Sequence, residues 1–233
     1  MNDALYQAAA LIVPLVVAIV FHEVAHGRVA RMLGDTTAAD MNRLSLNPLR
    51  HVDPFGTVIL PGMLALAHLP VFGWAKPVPV VRQRLRNPRR DMMIVAAAGP
   101  ASNLVLAGIG AVLLGLLARA YAGMEGAPAA AGFAALNLVN FVMINVYLAL
   151  FNLLPIPPFD GSHIFEGVLP DPLRRAYGKM RQFGFALVLL LLIVLPSVIP
   201  GFNPVGKVLG PPVDWLTGHY FALAAKVAGS SIA

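Results

Sequence analysis

The sequence predicts an all-α polytopic membrane protein: a helical bundle of about four spans, with a re-entrant hairpin between the first two. Three observations carry that expectation. Of 233 residues, 58% are apolar and only 12% charged, about half the charge of an ordinary soluble domain. Long runs without charge recur along the chain. The 17 Lys and Arg outnumber the 11 acids, giving +6, and most fall in three groups that each flank an apolar run: Arg28 to Arg50, Lys76 to Arg90, and Arg174 to Arg181. Such grouping marks cytoplasmic loops under the positive-inside rule. Tyr177 is the one aromatic that interleaves the three groups, fewer than a nucleic-acid groove requires, so nucleic acid is not the expected partner. The composition excludes a soluble globular enzyme and a disordered chain. The absence of cysteine excludes a disulfide scaffold and leaves only His and carboxylate to hold a metal.

The first run is free of charge from Ala4 to Phe21 and stays helical to Leu33, where Gly34-Asp35 stops it. That length crosses a hydrocarbon core of about 30 Å. No small-residue cleavage site follows it, so it is expected to remain in the mature protein. The second run, Phe55 to Ala75, is interrupted at Pro61-Gly62 and Leu69-Pro70. Basic groups on both of its sides require an even number of crossings or none, so it is expected to re-enter, turning at Pro61-Gly62. Irregular backbone at that depth must be covered by protein or line a cavity. Val78-Pro79-Val80-Val81, β-branched and proline-marked, is expected as a short edge strand. Further spans follow at Met92 to Ala118, Gly132 to Leu154 and Phe183 to Ile199, with the near-neutral loop Tyr121 to Ala131 outside. Residues 1–200 are read as the membrane core and 201–233 as an interfacial C-terminal tail.

The chemistry lies near the end of the first run, in His22-Glu23-Val24-Ala25-His26. Residues four apart on a helix share a face, so both imidazoles point at one metal with Glu23 beside them. Ionisable groups in a spanning helix cost about 2.5–3.5 kcal/mol each, and a bound metal compensates that cost. A catalytic zinc needs a third protein ligand. His51 in His51-Val-Asp53, His163 and Asp160 are candidates, whereas His68 and His219 lack acidic neighbours. Asp160 is the strongest, because Pro155, Pro157 and Pro158 break the third spanning helix as it emerges and Gly161 permits a tight turn that aims the acid back. A surface Asp-Gly turn is an equally good reading of that pair from spacing alone.

Taken together, these segments resemble the site-2 protease family of intramembrane zinc metalloproteases, in its compact bacterial type. His22 to His26 is similar to that family's zinc helix, Asn152 to Gly161 to its second motif, and Gly99-Pro100-Ala101-Ser102-Asn103 to its Gly-Pro-x-x-Asn element. His51 to Thr57 and Trp74 to Pro79 are similar to segments of its compact members. The resemblance implies Zn2+ held by His22, His26 and Asp160, with Glu23 as general base and then acid. It implies substrate contacts by Asn103 and Asn152, and transmembrane proteins as substrates, cut within or near the bilayer. It further implies a multi-pass protein of the cell (inner) membrane whose active site faces the cytoplasm. No appended regulatory domain is recognisable, and no feature fixes an oligomeric state. A metal-ion transporter is the rival reading. It would need a polar path to both faces, but the remaining acids fall in loops or near the termini.

Overall fold

A computed structural model describes residues 3–66, 73–122, 124, 128–199 and 201–229. Its helices in chain order are α1 (Asp3–Met32), α2 (Thr37–Asp40), α3 (Leu60–Leu66), α4 (Pro88–Ala120), α5 (Ala129–Asn152), α6 (Asp160–Val168), α7 (Asp171–Met180), α8 (Gly184–Leu189), α9 (Leu195–Val198) and α10 (Pro204–Ala228). Four stretches are long and apolar enough to cross a membrane: Leu5–Met32, Pro88–Ala120, Ala129–Asn152 and Asp171–Val198. The first three match the expected spans, and the fourth overlaps the expected Phe183 to Ile199 but starts at Asp171, so that it takes in the basic group Arg174 to Arg181. The fourth begins in α7 and continues through a 3-10 turn, α8, a π-helical turn at Leu190–Val194 and α9.

The ends of these helices follow from local chemistry. At the start of α4, Pro88 takes the first helical position, where a missing N–H costs nothing. Asn87 precedes it, and the Asn87 N–H donates to Asp91 Oδ2 at 2.7 Å, as in a capping box. Gly34, with φ of +114°, receives the chain after α1 in the left-handed region that glycine tolerates. Helix α5 stops at Asn152, three residues before Pro155, which has no N–H to continue the ladder.

The chain divides into two compact units. One comprises residues 1–18, 100–152 and 206–233. Ala111, Val142 and Ala224 form its buried centre, with Leu114, Tyr220 and Phe221 around them. Small residues let its helices approach closely: a Cβ on Gly115 would strike the Ala224 carbonyl and lie 2.7 Å from Val227 Cβ. Asparagines tie backbone to backbone, as Asn140 Nδ2 donating to Ala10 O at 3.0 Å does. Both devices are those of helix packing in lipid, where apolar burial between helices gives little drive.

The second unit comprises residues 19–99 and 153–205. It holds a small core of Ala30, Leu85 and Val95, packed by Val29, Leu33, Val80 and Met92. Two expectations are corrected here. Pro61-Gly62 is no turn, because the chain passes through it as helix: Asp53 Oδ1 accepts from Phe55 N and Gly56 N, a π-helix runs Pro54–Ile59, and α3 continues to Leu66. Pro61 falls inside the continuous helical run 54–66, directly after its π-helical turn, rather than at a reversal of the chain. The chain nevertheless comes back, since the Trp74 N–H donates to Gly56 O at 3.1 Å and Thr57 Oγ1 donates to Trp74 O at 2.8 Å. The two ends of the segment therefore meet, as the parity of the charges requires. Leu69-Pro70 and His68 lie outside the described residues. The second correction concerns Val78 to Val81: no strand occurs among the described residues, and 73–81 is irregular. Pro77 and Pro79 have no N–H to offer a ladder, and the N–H groups of Val78 and Val81 go to the carboxylates of Glu23 and Asp35, at 2.7 and 2.6 Å.

Candidate metal centre

Three donors converge within the second unit. His22 and His26 stand one turn apart on α1, both buried, and Asp160 is the first residue of α6. Their Nε2 and carboxylate oxygens all lie within 4.8 Å of one another. Asp160 Oδ2 is 3.1 Å from His22 Nε2 and 3.3 Å from His26 Nε2, and the two Nε2 atoms are 3.1 Å apart. Three ligands about 2.0–2.1 Å from one zinc at tetrahedral angles would stand roughly 3.3 Å apart, so the spacing fits.

Four further observations fit a cation at this point. His26 Nδ1 donates to the Val95 carbonyl at 2.7 Å, which leaves the Nε2 lone pair turned toward His22 and Asp160. Asp160 Oδ2 is buried with no donor in hydrogen-bonding geometry. Burial pushes the Asp160 carboxyl upward, but the two imidazoles beside it hold it down at about 2. Finally, helix α4 presents Gly99 to the pair: a Cβ there would collide with His26 Nε2 and lie 2.6 Å from His22 Cε1. The Gly-Pro-x-x-Asn element thus keeps one wall of the centre bare.

The other expected residues fall as follows. Glu23 is half-buried beside the ligands, and its Oε2 accepts the Val78 N–H at 2.7 Å. His51 gives Nε2 to Ser45 O at 2.8 Å, and His163 lies 3.3 Å from Arg181. Among the described residues neither belongs to the cluster. Asn103 and Asn152 belong to the other unit. Asn103 is fully buried, its Nδ2 donating to Ala18 O at 3.1 Å and to Asn145 Oδ1 at 2.8 Å. Asn152 Nδ2 donates to Leu148 O of its own helix. Gly161 keeps its importance for a different reason from the turn expected there. Its φ is not positive, and a Cβ would strike the Leu153 carbonyl, so glycine admits the preceding loop rather than reversing the chain.

The relatives of this arrangement are consistent. Residues 117–195 match the model of peptidase family M50, a segment that contains Asp160 but not the His22–His26 helix. A protein of Bacillus subtilis named a zinc metalloprotease, YwhC, is 42% identical over 186 residues, 80% of each chain. The chain belongs to peptidase family M50. Proteins named Rip2 share 35% identity with the peptidase in Mycolicibacterium smegmatis, over 74% of this chain and 62% of that one, and 32% in Mycobacterium tuberculosis, over 80% and 66%. No solved structure matches the peptidase.

One part of the site carries no motif at all. Glu166, buried on α6, accepts from Arg82 NH1 at 3.2 Å and from Arg181 NH2. At the end of the same helix, Arg89 Nε and NH2 donate to Gly167 O and Leu169 O at 2.8 and 2.6 Å, capping carbonyls that helix geometry leaves open. A Cβ on Gly167 would strike Met93, so α6 and α4 touch there. The nine-residue helix that begins with Asp160 is thereby fixed by three arginines. Glu166 could have been suspected only as an acid in an apolar-faced helix close behind the third ligand.

Proposed function

We propose that this multi-pass membrane peptidase is a zinc endopeptidase that hydrolyses peptide bonds within or beside transmembrane segments of other membrane proteins, as in regulated intramembrane proteolysis. The observation that carries the reading is the convergence of His22, His26 and Asp160 in the C-terminal part of a candidate spanning helix, with Glu23 in the same turn, which this reading places on the cytoplasmic side. The cytoplasmic assignment follows from the arginines that succeed it, and the cell membrane is the expected location.

In this reading His22, His26 and Asp160 hold the ion. When bound, zinc acts as a Lewis acid toward the scissile carbonyl and makes water more acidic. Glu23 accepts a proton from water and later delivers it to the leaving amide nitrogen. The Val78 N–H, holding Glu23 Oε2, orients that carboxylate. The Val95 carbonyl keeps the His26 ring in one tautomer. For Asn103 and Asn152 the reading retains a contact to substrate, and its test is a raised KM in the Ala variants at unchanged zinc content.

The deciding experiment uses the Glu23→Gln variant with a reporter transmembrane helix in liposomes, zinc being measured on the same sample. Retained zinc with lost cleavage is expected. Retained cleavage would overturn the role of Glu23. Wild-type protein that moves zinc across the liposome and cuts no tested helix would favour a transporter.

A further inference from the structure

Beyond the ligand cluster, the strongest concentration of unused chemistry in the second unit lies where α1 ends. A groove of about 370 Å³ is lined by Arg31, Ala39, Asn42, Leu44, Ser45 and Arg50. Arg31 and Leu44 also line an adjoining groove with Arg28 and Met32. Arg28, Arg31 and Arg50 are exposed, and among the described residues none pairs with a carboxylate. Arg50 spends one donor on Asn42 O at 3.3 Å. The acids close in sequence are committed elsewhere: Asp35 to Thr37 and Val81, Asp40 to the Thr36 hydroxyl, Asp53 to Phe55 and Gly56. The groove therefore offers guanidinium, amide and hydroxyl donors and no carboxylate.

Its depth says which anion it suits. The candidate span Leu5–Met32 ends at these arginines, so Arg28 and Arg31 stand at the membrane boundary where α1 leaves it. Side chains on a helix lean toward its N-terminus, which here is back toward the bilayer, and long arginines extend further in that direction. Bare apolar side chains line the neighbouring grooves that share its arginines: Met32, 73% exposed, beside Arg31, and Met41 and Leu49, the latter 78% exposed, beside Arg50, with Leu46 also exposed in the same segment. Arginines among bare Met and Leu suit a layer where phosphates and acyl chains meet.

We propose that the Arg31–Arg50 groove binds the phosphate of an anionic phospholipid, whose acyl chains lie along Met32, Met41, Leu46 and Leu49. A soluble phosphate would draw nothing from that apolar rim. An acidic peptide would meet no continuous track of cations, because Arg43 is buried and turned inward to the carbonyls of Arg50, Lys76 and Pro77. The proposal needs the chain to sit in a membrane but does not depend on the ligand set or on proteolysis.

The test titrates the full-length protein in detergent with dioleoyl phosphatidylglycerol or dioleoyl phosphatidylcholine and counts bound lipid by native mass spectrometry. Wild-type protein is expected to prefer the anionic lipid. Each surface arginine contributes about fivefold, so Arg31→Gln should reduce the preference about fivefold and Arg31→Gln/Arg50→Gln roughly 25-fold. The charge-matched variant Arg175→Gln/Lys179→Gln should keep it. Should the groove double variant fail to fold, judged by melting and elution, the single Arg31→Gln decides. Equal binding of the two lipids, equal losses in both double variants, or no loss in Arg31→Gln would each overturn the proposal. Displacement of the lipid by inorganic phosphate or by a soluble acidic peptide at equal concentration would also overturn it, and would reassign the groove to that ligand.

Discussion

The two units of the molecule solve the same problem, ordering polar backbone in an apolar chain, by different means. In the unit of residues 1–18, 100–152 and 206–233, regular helix satisfies the backbone, and the work left is close approach. Gly110 and Gly115 supply it, and Asn103, Asn140 and Asn145 add neutral tethers. In the unit of residues 19–99 and 153–205 much of the backbone is irregular, and charged side chains hold it. Asp35 and Glu23 take the N–H groups of 73–81, while Arg43 and Arg89 take carbonyls of the loops. Charge-assisted bonds are about twice as strong as neutral ones, and they hold non-repeating backbone that no helix ladder could satisfy. Chemistry needs such backbone, because ligands from distant parts of the chain must converge. The unit built for rigidity and the unit built for function should therefore fail differently when mutated.

The largest effects should come from the ligands themselves. His22→Ala, His26→Ala or Asp160→Ala should each lose most of the bound zinc by elemental analysis, while Glu23→Gln keeps it and loses cleavage by about 10²–10⁴-fold. Next is Glu166→Ala, which leaves Arg82 and Arg181 without their shared acid and frees α6. Partners that orient metal ligands typically contribute 10–100-fold in affinity, so competition with a chelator should show a weakening of that order, and Glu166→Asp should recover part of it. Unchanged affinity would mean that α6 positions Asp160 without its arginines. In the other unit, Gly115→Leu should destabilise by about 1–3 kcal/mol through overpacking, read as a lower melting temperature with zinc per folded molecule unchanged. Asn103→Ala should cost less, about 0.6–1.7 kcal/mol, the range for hydrogen bonds between helices in a bilayer. Zinc loss in either variant would mean that packing in this unit also holds the metal centre.

The smallest effect tests a single carboxylate. Burial pushes Asp35 upward, but the Thr37 side chain, the Val81 and Thr37 N–H groups and the Arg84 charge together hold it below its ordinary value. A group with a lowered native pKa stabilises the fold above its unfolded pKa and loses that contribution as pH falls through the native one. The melting temperature of wild type should therefore exceed that of Asp35→Asn at pH 7, with the gap closing below about pH 4. A gap independent of pH would assign the contribution of Asp35 to shape alone.

The spanning helices were legible because length and hydropathy are local properties, and the two histidines because a four-residue spacing fixes a face. Asp160 was legible only as a candidate, since an acid after a proline-broken helix can turn outward as readily as inward. Gly99 could be recognised as part of a familiar element, but its purpose is visible only with both imidazoles against it. The helix through Pro61-Gly62 is not legible in the sequence, because proline and glycine together favour turns and nothing local announces the π-helical turn that precedes them. The expected strand failed for the reverse reason: β-branched residues favour extended backbone, yet a strand also requires a partner, and here the partners are carboxylates. Glu166 and its arginines left no trace, because long-range ion pairs have no sequence period.

The separation of the ligands along the chain also has a consequence in time. His26 leaves the ribosome 134 residues before Asp160, which at about 5–20 residues per second is roughly 7–27 s. Throughout that interval the nascent chain owns two imidazoles and a proton carrier but no third anchor for an ion. If His22, His26 and Asp160 hold the ion as proposed, the peptidase stays inert until α6 has been made. Nascent chains arrested before residue 160 should accordingly retain no zinc through a chelator wash, whereas chains released at full length should.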